Sequence, residues 1–328
     1  MNLFVGVDFG GTNIKTGIVD VDTGVVMYHQ ILPTLAREGH AAVITRIADQ
    51  ILATIAAFGK DKSQIKGIGV SAPGVLDLEK GLTLFLPNLP GTWPNVPLRD
   101  SIVDKLVMPT YLLNDARAIT YGEWLYGAGR GTDTMACFAL GTGVGGGLVI
   151  NGKLHLGIGG TGGELGHQTM DLNGPRCGCG NRGCLEVYAS GPAITALGIK
   201  AVLQGRSTNI GKLVNYDLNK ITPEVISDAA RQGDAVAKEI FEQAGIYLGV
   251  AIANILVSIG PSKVVLAGGV AAAGDLLLEP IRQTLRERVT VMPVEHVEVV
   301  TASLGFNAGV IGVACWASQN LREVSRVV

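Results

Sequence analysis

A short apolar run, a glycine turn and a second apolar run open the chain, and the same arrangement returns near its middle. The first copy runs from Leu3 through the turn at Gly10 to Asp20, and the second runs from Met135 through Gly141 to Leu154. Short apolar runs joined by glycine predict a strand, a tight turn and a second strand, with no helix between them. The recurrence predicts an internal duplication, in which each half of the chain begins with such a hairpin.

The rest of the chain alternates between helical and strand patterns. Helices are predicted at 39–58, from after Asp115 to about Leu125, through most of 191–260, at 276–290 and at 304–316. Further strands are predicted at Ile65–Ser71, Thr110–Leu113, Val264–Leu266 and 298–302. Four prolines in 83–99 predict a loop, 151–192 is rich in loop residues, and the tail 318–328 is predicted to fray. This alternation is typical of an α/β protein.

Composition and charge exclude two classes of protein. The sequence is 47% hydrophobic and only 16% charged, which excludes an intrinsically disordered chain. It contains 26 Lys and Arg against 28 Asp and Glu, for a net charge of −2. A general nucleic-acid-binding protein would show a basic excess, so no nucleic-acid partner is expected.

The most apolar stretch, Ala244–Gly260, is at the short limit of a membrane span and contains Asn254. We expect a buried core helix that ends at Gly260 and Pro261, and no membrane partner. The N-terminal residues lack a basic leader and a cleavage site, so no signal peptide is expected. Five cysteines, three of them crowded together, suit a metal site in a reducing compartment better than a disulfide framework, and we expect a cytoplasmic protein.

The first glycine turn reads Asp8-Phe9-Gly10-Gly11-Thr12-Asn13. Glycines let backbone N–H groups approach an anion, and the Thr12 hydroxyl adds a donor. Asp8 could hold Mg²⁺ through water. The alternative is an ordinary hairpin turn, which is common.

The second turn contains Gly141, Thr142 and Gly143 within a GxGxxG string. A dinucleotide-binding loop requires a helix directly after the glycines, whereas a strand is predicted here, so we reject that interpretation. The sequence also lacks the GxxxxGK[ST] pattern of a P-loop. Two glycine hairpins, one from each half, predict a phosphate chain clamped between two lobes.

Asn114 and Asp115 end a predicted strand and begin a predicted helix. Ligands of α/β proteins bind at such strand ends, and a carboxylate there could accept a proton from a sugar hydroxyl. Asn and Asp are also preferred helix N-cap residues, and the two residues by themselves favour the cap.

His167 is followed by Cys177, Cys179 and Cys184 in the string GHQTMDLNGPRCGCGNRGCLE. Three thiolates and an imidazole complete a tetrahedral zinc shell with no open position, which predicts a structural ion. The alternative is a set of buried cysteines without metal. Cys137 and Cys315 lie in apolar segments and are predicted to be core residues.

Glu164 and Glu186 lie beside this cysteine-rich loop. A rigid loop that carries carboxylates suits sugar hydroxyls, which need acceptors of fixed direction. Taken alone, either residue would be interpreted as a solvated surface charge. The remaining histidines have no partners in the sequence and are interpreted as structural or surface residues.

Together these motifs resemble the ROK family of repressors, open reading frames and kinases. The strings DFGGTN, LNDARA, ALGTGVGGG, GGELGH and CGCGNRGCLEVYASGPAI occur in the order expected of that family, and the match runs from about residue 3 to about residue 316. The resemblance implies an α/β actin-like ATPase (ribonuclease H-like) fold with two lobes around a cleft. It also implies a small domain of 1–115 plus about 305–328, and a large domain of 116–304 that carries the zinc-binding loop.

The resemblance also implies a role for each matching residue. Phosphate contacts fall on Asp8, Gly10, Gly11, Thr12, Gly141, Thr142 and Gly143, and adenosine contacts fall on Gly268 and Gly269. Sugar contacts fall on Gly74, Asn88, Asn114, Asp115, Glu164, His167 and Glu186, with Asp115 as the catalytic base. Zinc ligands fall on His167, Cys177, Cys179 and Cys184, so that His167 also faces the sugar with its second ring nitrogen. Three residues depart from the family pattern: Asn13 replaces a common Lys, Arg117 replaces a common Asn, and Ala267 replaces a common Gly.

The activity implied is ATP- and Mg²⁺-dependent phosphorylation of a hexose, with glucose at its 6-hydroxyl favoured. Mannose, fructose, N-acetylglucosamine and N-acetylmannosamine are alternative substrates, and polyphosphate is an alternative donor. Regulators of the family carry an N-terminal helix-turn-helix domain, and a phosphate loop that begins at residue 8 leaves no room for one, so a sugar-sensing regulator is less expected. The resemblance further implies a homodimer or homotetramer.

Overall fold

Two five-stranded sheets form the framework of the protein. A computed structural model describes residues 1–327 and the side chains of residues 1–323. The strands are β1 (Leu3–Phe9), β2 (Asn13–Asp20), β3 (Val25–Pro33), β4 (Ile68–Ala72), β5 (Val75–Asp77), β6 (Leu82–Phe85), β7 (Thr110–Asn114), β8 (Met135–Leu140), β9 (Val144–Ile150), β10 (Lys153–Leu154), β11 (Lys263–Ala267) and β12 (Glu298–Thr301). The helices are α1 (His40–Ala57), α2 (Leu98–Leu106), α3 (Asp115–Tyr126), α4 (Glu186–Ala189), α5 (Gly191–Leu203), α6 (Ile210–Leu213), α7 (Pro223–Arg231), α8 (Ala235–Ile259), α9 (Asp275–Arg288) and α10 (Ala308–Val327).

The two sheets share one topology. Their strand orders are β3-β2-β1-β4-β7 and β10-β9-β8-β11-β12. In each sheet the first three strands are antiparallel, as hairpins require, and the last two are added in parallel after helical crossovers. The predicted internal duplication is therefore confirmed at the level of topology.

Each sheet has its own apolar core. The first core lies between the β1–β4–β7 strands and helices α1 and α2, and the second lies between β8, β11 and helices α5, α8 and α9. Among the described residues, α8 is the one helix long and apolar enough to cross a membrane, but 56% of its most apolar stretch is buried inside the protein. It packs against α4, α5, α7 and α9, as predicted for a core helix.

The last helix returns from the second sheet to the first. Helix α10 packs on β1 and β4 and on α3, which also contacts β8 and β9. Two glycines allow this close approach: a Cβ at Gly69 would lie 2.0 Å from the Val313 carbonyl oxygen, and one at Gly312 would lie 1.8 Å from the Ala118 carbonyl oxygen. The α3–α10 pair thus connects the two sheets through direct backbone contact.

A buried carboxylate fixes the end of α3 to the segment that leads into α10. Glu123 is 0% exposed. Its Oε2 accepts hydrogen bonds from the backbone N–H of Ala128 at 2.9 Å and of Ser303 at 3.0 Å, and its Oε1 accepts one from Leu304 at 2.8 Å. Local patterns do not indicate this role, because the acceptor and two of its donors are about 180 residues apart.

We expect Glu123→Ala to lower the free energy of unfolding by about 3 kcal/mol or more, since three backbone N–H groups lose their common buried acceptor. Urea denaturation measures this change. The control is Glu279→Ala, which removes an exposed carboxylate and should cost under about 1 kcal/mol. Equal losses in the two variants would contradict the anchoring role.

Several elements differ from the sequence prediction. Strand β3, the small β5–β6 hairpin and helix α2 were not predicted, and β6 and α2 take up both ends of the predicted loop at 83–99. The final helix begins later and runs further than 304–316, so the predicted fraying tail is helical through Val327. The remaining predicted helices and strands lie within a few residues of their expected places. The predicted domain boundaries stay a prediction.

Candidate active site

Asn114 and Asp115 lie at the junction of β7 and α3, where Asn114 ends the strand and Asp115 begins the helix. The Asn114 Oδ1 accepts hydrogen bonds from the backbone N–H of Ala116 at 3.0 Å and of Arg117 at 3.2 Å, so Asn114 is the N-cap of α3. Its Nδ2 donates to the Gly74 carbonyl at 3.0 Å. The N-cap interpretation is therefore right for Asn114, and the cap does not require the adjacent Asp115 carboxyl.

The Asp115 carboxyl has an unusual proton affinity. The pKa of Asp115 is raised to about 7, mainly by burial and also by the neighbouring Asp8 carboxylate, against the lowering effect of a hydrogen bond from the Ala116 N–H. That bond has a length of 2.8 Å. A carboxyl with a pKa near neutrality is suited to accept a proton from a hydroxyl group at physiological pH.

The first glycine turn is held by backbone hydrogen bonds. The Gly10 N–H donates to the Asn13 carbonyl at 3.0 Å, and the Thr34 N–H donates to the Thr12 carbonyl at 2.8 Å. Asn88 lies against this turn, because a Cβ at Gly11 would be 3.2 Å from its carbonyl oxygen. Asn13, which departs from the family pattern, is exposed at the start of β2.

Asp8 sits beside this turn with two polar partners. Its Oδ1 accepts a hydrogen bond from the Ser71 hydroxyl at 3.2 Å, and its Oδ2 pairs with the Lys15 ammonium at 3.2 Å. The Lys15 Nζ also lies 3.5 Å from the centre of the Phe306 ring. Sequence reasoning missed Lys15, although the register of the predicted hairpin places it directly opposite Asp8.

The second glycine turn is held by a carboxylate. The backbone N–H of Val144 donates to Glu186 Oε2 at 3.0 Å, and a Cβ at Gly143 would lie 2.4 Å from that oxygen. The Gly141 N–H donates to the Gly143 carbonyl at 2.9 Å, and Thr142 is exposed at the tip. Glu186, predicted as a sugar contact, is thus in contact with the predicted phosphate loop.

The predicted adenosine motif lies next to this turn. Gly268 has a φ of +88°. A Cβ there would lie 2.3 Å from the Leu140 carbonyl oxygen, so only glycine fits. A cleft of about 720 Å³ opens beside it, within the size range of small-molecule sites. Its lining includes Asp8, Lys15, Gly268, Gly269, Phe306 and Gly309.

The predicted zinc ligands converge. The donor atoms of His167, Cys177, Cys179 and Cys184 all lie within 4.8 Å of one another. Two separations are 3.7 Å, between Sγ of Cys179 and Cys184 and between Cys177 Sγ and His167 Nδ1. Tetrahedral zinc with Zn–S bonds of about 2.3 Å keeps its sulfur ligands about 3.8 Å apart, so the donor set fits this ion.

The two remaining cysteines behave as predicted core residues. Cys137 and Cys315 are buried, and burial raises the pKa of each thiol to about 12. Neither belongs to the four-ligand cluster.

Glu164 is paired with a side chain that the sequence did not connect to it. Its Oε1 accepts a hydrogen bond from Arg117 Nη2 at 2.8 Å, and Arg117 Nε donates to the Gly162 carbonyl at 2.8 Å. The Arg117 side chain is 2% exposed and that of Glu164 is 40% exposed. Glu164 is therefore an exposed carboxylate that is paired with a buried side chain.

Hydrogen bonds connect many of the predicted site residues into two groups. One joins Gly74, Asn114 and the start of α3, from which Arg117 reaches Glu164, and the other joins the second glycine turn, Glu186 and Cys177. Within the described part of the chain, the Asn88 and Thr142 side chains make no hydrogen bond. Sugar, phosphate and adenosine roles for the individual residues stay predictions.

Comparisons with known proteins identify the relatives of this chain. The ROK family model matches residues 4–320. A glucokinase from Thermotoga maritima is 37% identical over 94% of this chain and 95% of its own length. A xylose repressor from Bacillus subtilis is 31% identical over 94% of this chain and 75% of its own length.

Solved structures agree with these relatives. A ROK family glucokinase from Streptomyces griseus, in complex with glucose and AMPPNP, superimposes with a TM-score of 0.84 at 33% identity, over 97% of this chain and 99% of that one. The predicted α/β, two-lobed actin-like ATPase fold is confirmed by this likeness together with the paired sheets. The chain belongs to the ROK family.

Proposed function

We propose that this protein is a cytoplasmic, ATP-dependent sugar kinase that phosphorylates a hexose, with glucose and its 6-hydroxyl favoured. The observation that carries the proposal is the Asp115 carboxyl, which begins α3 directly after the end of β7 and has a pKa raised to about 7. Glucokinases are among the chain's relatives, and one of them has been solved with glucose and an ATP analogue.

In the proposed reaction, Asp115 accepts the proton of the sugar hydroxyl while the hydroxyl oxygen forms a bond to the γ-phosphorus. The bond between that phosphorus and the bridging oxygen breaks, and ADP leaves with the electron pair. The backbone N–H groups of Gly11, Thr12, Thr142 and Gly143 orient the phosphate chain, because those of Gly10 and Gly141 are bonded within the turns. Asp8 offers carboxylate oxygens for Mg²⁺, which would supply positive charge to the phosphate oxygens.

We further propose that His167, Cys177, Cys179 and Cys184 hold a structural zinc ion. All four ligand positions are filled by protein, so the ion would fix the loop and leave the chemistry to other residues. The loop then presents Glu164 and Glu186 to the sugar, together with the second ring nitrogen of His167. Nδ1 faces Cys177, which leaves Nε2 for this contact.

Two alternatives follow from the comparisons and the sequence. Another hexose, such as mannose, fructose, N-acetylglucosamine or N-acetylmannosamine, would use the same base and phosphate turns. A sugar-sensing regulator is suggested by the xylose repressor among the relatives. We favour the kinase because the glucokinases among the relatives are 33–37% identical to this chain and the xylose repressor is 31% identical, and because the raised pKa of Asp115 suits a general base. A homodimer or homotetramer without nucleic-acid or membrane partners completes the proposal.

The proposal is tested by incubating the purified protein with Mg²⁺, one of the two donors (ATP or polyphosphate) and each of the five sugars. Sugar phosphate is measured with either donor, and ADP release is also measured with ATP. We expect the highest kcat/KM with glucose and ATP. A higher kcat/KM for another sugar would change the proposed substrate and leave the kinase assignment intact. Absence of turnover with a folded, zinc-loaded protein would favour the regulator.

The raised pKa of Asp115 predicts a pH dependence. Only the ionised carboxylate accepts a proton, so kcat/KM for the sugar should fall as the pH drops and reach half its maximum near pH 7. Initial rates between about pH 5.5 and about pH 9 at saturating Mg²⁺·ATP measure this limb. A profile that stays flat down to about pH 5 would contradict the assignment of the base.

A further inference from the structure

Arg117 is the largest fully buried side chain in the described part of the protein. It lies in the first turn of α3, two positions after Asp115, and its side chain is 2% exposed. A guanidinium keeps its charge at any physiological pH, so its burial is costly unless partners satisfy its donors. The identity of those partners therefore shows what the residue does.

Both partners of Arg117 lie on the loop that precedes His167. Its Nε donates to the Gly162 carbonyl and its Nη2 donates to Glu164 Oε1, each at 2.8 Å. Glu164 is 40% exposed, and among the described residues its second oxygen, Oε2, accepts no hydrogen bond. One carboxylate oxygen is thus fixed from inside the protein and the other is left available to a ligand.

We propose that Arg117 is a positioning residue for sugar recognition, which holds the Glu164 carboxylate so that its Oε2 accepts a hydrogen bond from a sugar hydroxyl. This inference rests on the proposed sugar kinase function. A glutamate on a glycine-rich loop would otherwise have to be ordered when the sugar binds, and that cost would weaken binding. The guanidinium orders the carboxylate beforehand and connects it to the helix that carries Asp115.

A purely structural role for Arg117 would work through Gly162 alone. In that case Arg117 would hold the loop whether or not Glu164 were present, and the effects of changing the two residues would be independent. A positioning role makes the effects dependent, because Arg117 would have no carboxylate to hold once Glu164 is removed. A double-mutant cycle on sugar binding separates the two roles.

The experiment compares Arg117→Met, Arg117→Lys, Glu164→Ala and the double variant Arg117→Met/Glu164→Ala. Calorimetry measures Kd for glucose, steady-state kinetics give KM for glucose and for ATP, and thermal melting reports folding. We expect Arg117→Met to raise Kd and KM for glucose about 10- to 100-fold, with KM for ATP changed less than about twofold. Arg117→Lys should retain part of the affinity, since one ammonium cannot reach both partners in the guanidinium geometry. The double variant should bind glucose as weakly as Glu164→Ala.

A surface pair serves as the matched control. Arg206 and Glu239 form an Arg–Glu pair of similar length, 2.7 Å, with both side chains exposed, and Arg206→Met should leave KM for glucose unchanged. Unaltered glucose affinity in a folded Arg117→Met protein, or effects that simply multiply in the double variant, would overturn the inference. Should Arg117→Met fail to fold, Arg117→Lys takes its place in the cycle, and its effect on Kd for glucose is compared with and without Glu164→Ala. Failure of the proposed function is distinguishable, because the unaltered protein would then phosphorylate no sugar of the panel, whichever Kd values the cycle gives.

Discussion

Asp115→Asn is expected to lower kcat by about 100- to 10,000-fold, the range in which a positioned general base contributes. The amide has nearly the shape of the carboxyl group, and its oxygen can still accept the hydrogen bond from the Ala116 N–H. It cannot take a proton from the sugar hydroxyl. Steady-state assays with saturating sugar and Mg²⁺·ATP measure the loss in kcat, and calorimetry should show that the sugar still binds.

This variant should fold at least as well as the unaltered protein. Burial and the nearby Asp8 carboxylate oppose ionisation of Asp115, and a neutral amide avoids that cost. The matched control is Asp100→Asn, which makes the same change in the first turn of α2 at an exposed position and should retain full kcat. Normal turnover by Asp115→Asn would show that another group accepts the proton.

Cys179→Ser is expected to abolish zinc binding and to weaken sugar binding more than about tenfold. A structural zinc ion needs four strong ligands, and serine is a poor substitute for a thiolate. Without the ion the loop between His167 and Glu186 loses its main constraint, because a metal site of this kind supplies folding energy directly. Glu186 would then also lose its fixed position, in which its Oε2 accepts a hydrogen bond from the Val144 N–H at 3.0 Å.

Zinc content from mass spectrometry of the purified protein and glucose Kd from calorimetry measure the two effects. Cys315→Ala is the matched control, since it removes a buried thiol outside the cluster and should retain one zinc per chain. Retention of zinc by Cys179→Ser with an unchanged Kd for glucose would contradict the structural role of the cluster. Loss of zinc with unchanged Kd would separate the metal from sugar recognition.

The parts of the fold that the sequence predicted are those encoded by local patterns. Glycine turns between apolar runs predicted both hairpins, and they also predicted that the two sheets would be related. The spacing of Cys177, Cys179 and Cys184 after His167 predicted a cluster that the structure brings together. Strand β3 was missed although its sequence, VVMYHQILP, is largely apolar; it is an edge strand, and none of its residues is buried.

The parts of the site that were missed depend on residues distant in sequence. Arg117 and Glu164 are 47 positions apart, and nothing in either segment indicates an ion pair. Glu123 meets two of its donors only because α10 returns to the first sheet. The Lys15–Asp8 pair is different: once the glycine turn fixes the hairpin register, the two side chains are cross-strand neighbours, and the pair could have been predicted.

The most direct test of the central claim is identification of the product by phosphorus NMR after the protein is incubated with glucose, ATP and Mg²⁺. We expect a single new phosphate monoester, coupled to the protons on carbon 6 of glucose, that forms in step with ADP and is nearly absent with Asp115→Asn. Release of inorganic phosphate without a sugar ester, or equal product formation by Asp115→Asn, would contradict the account.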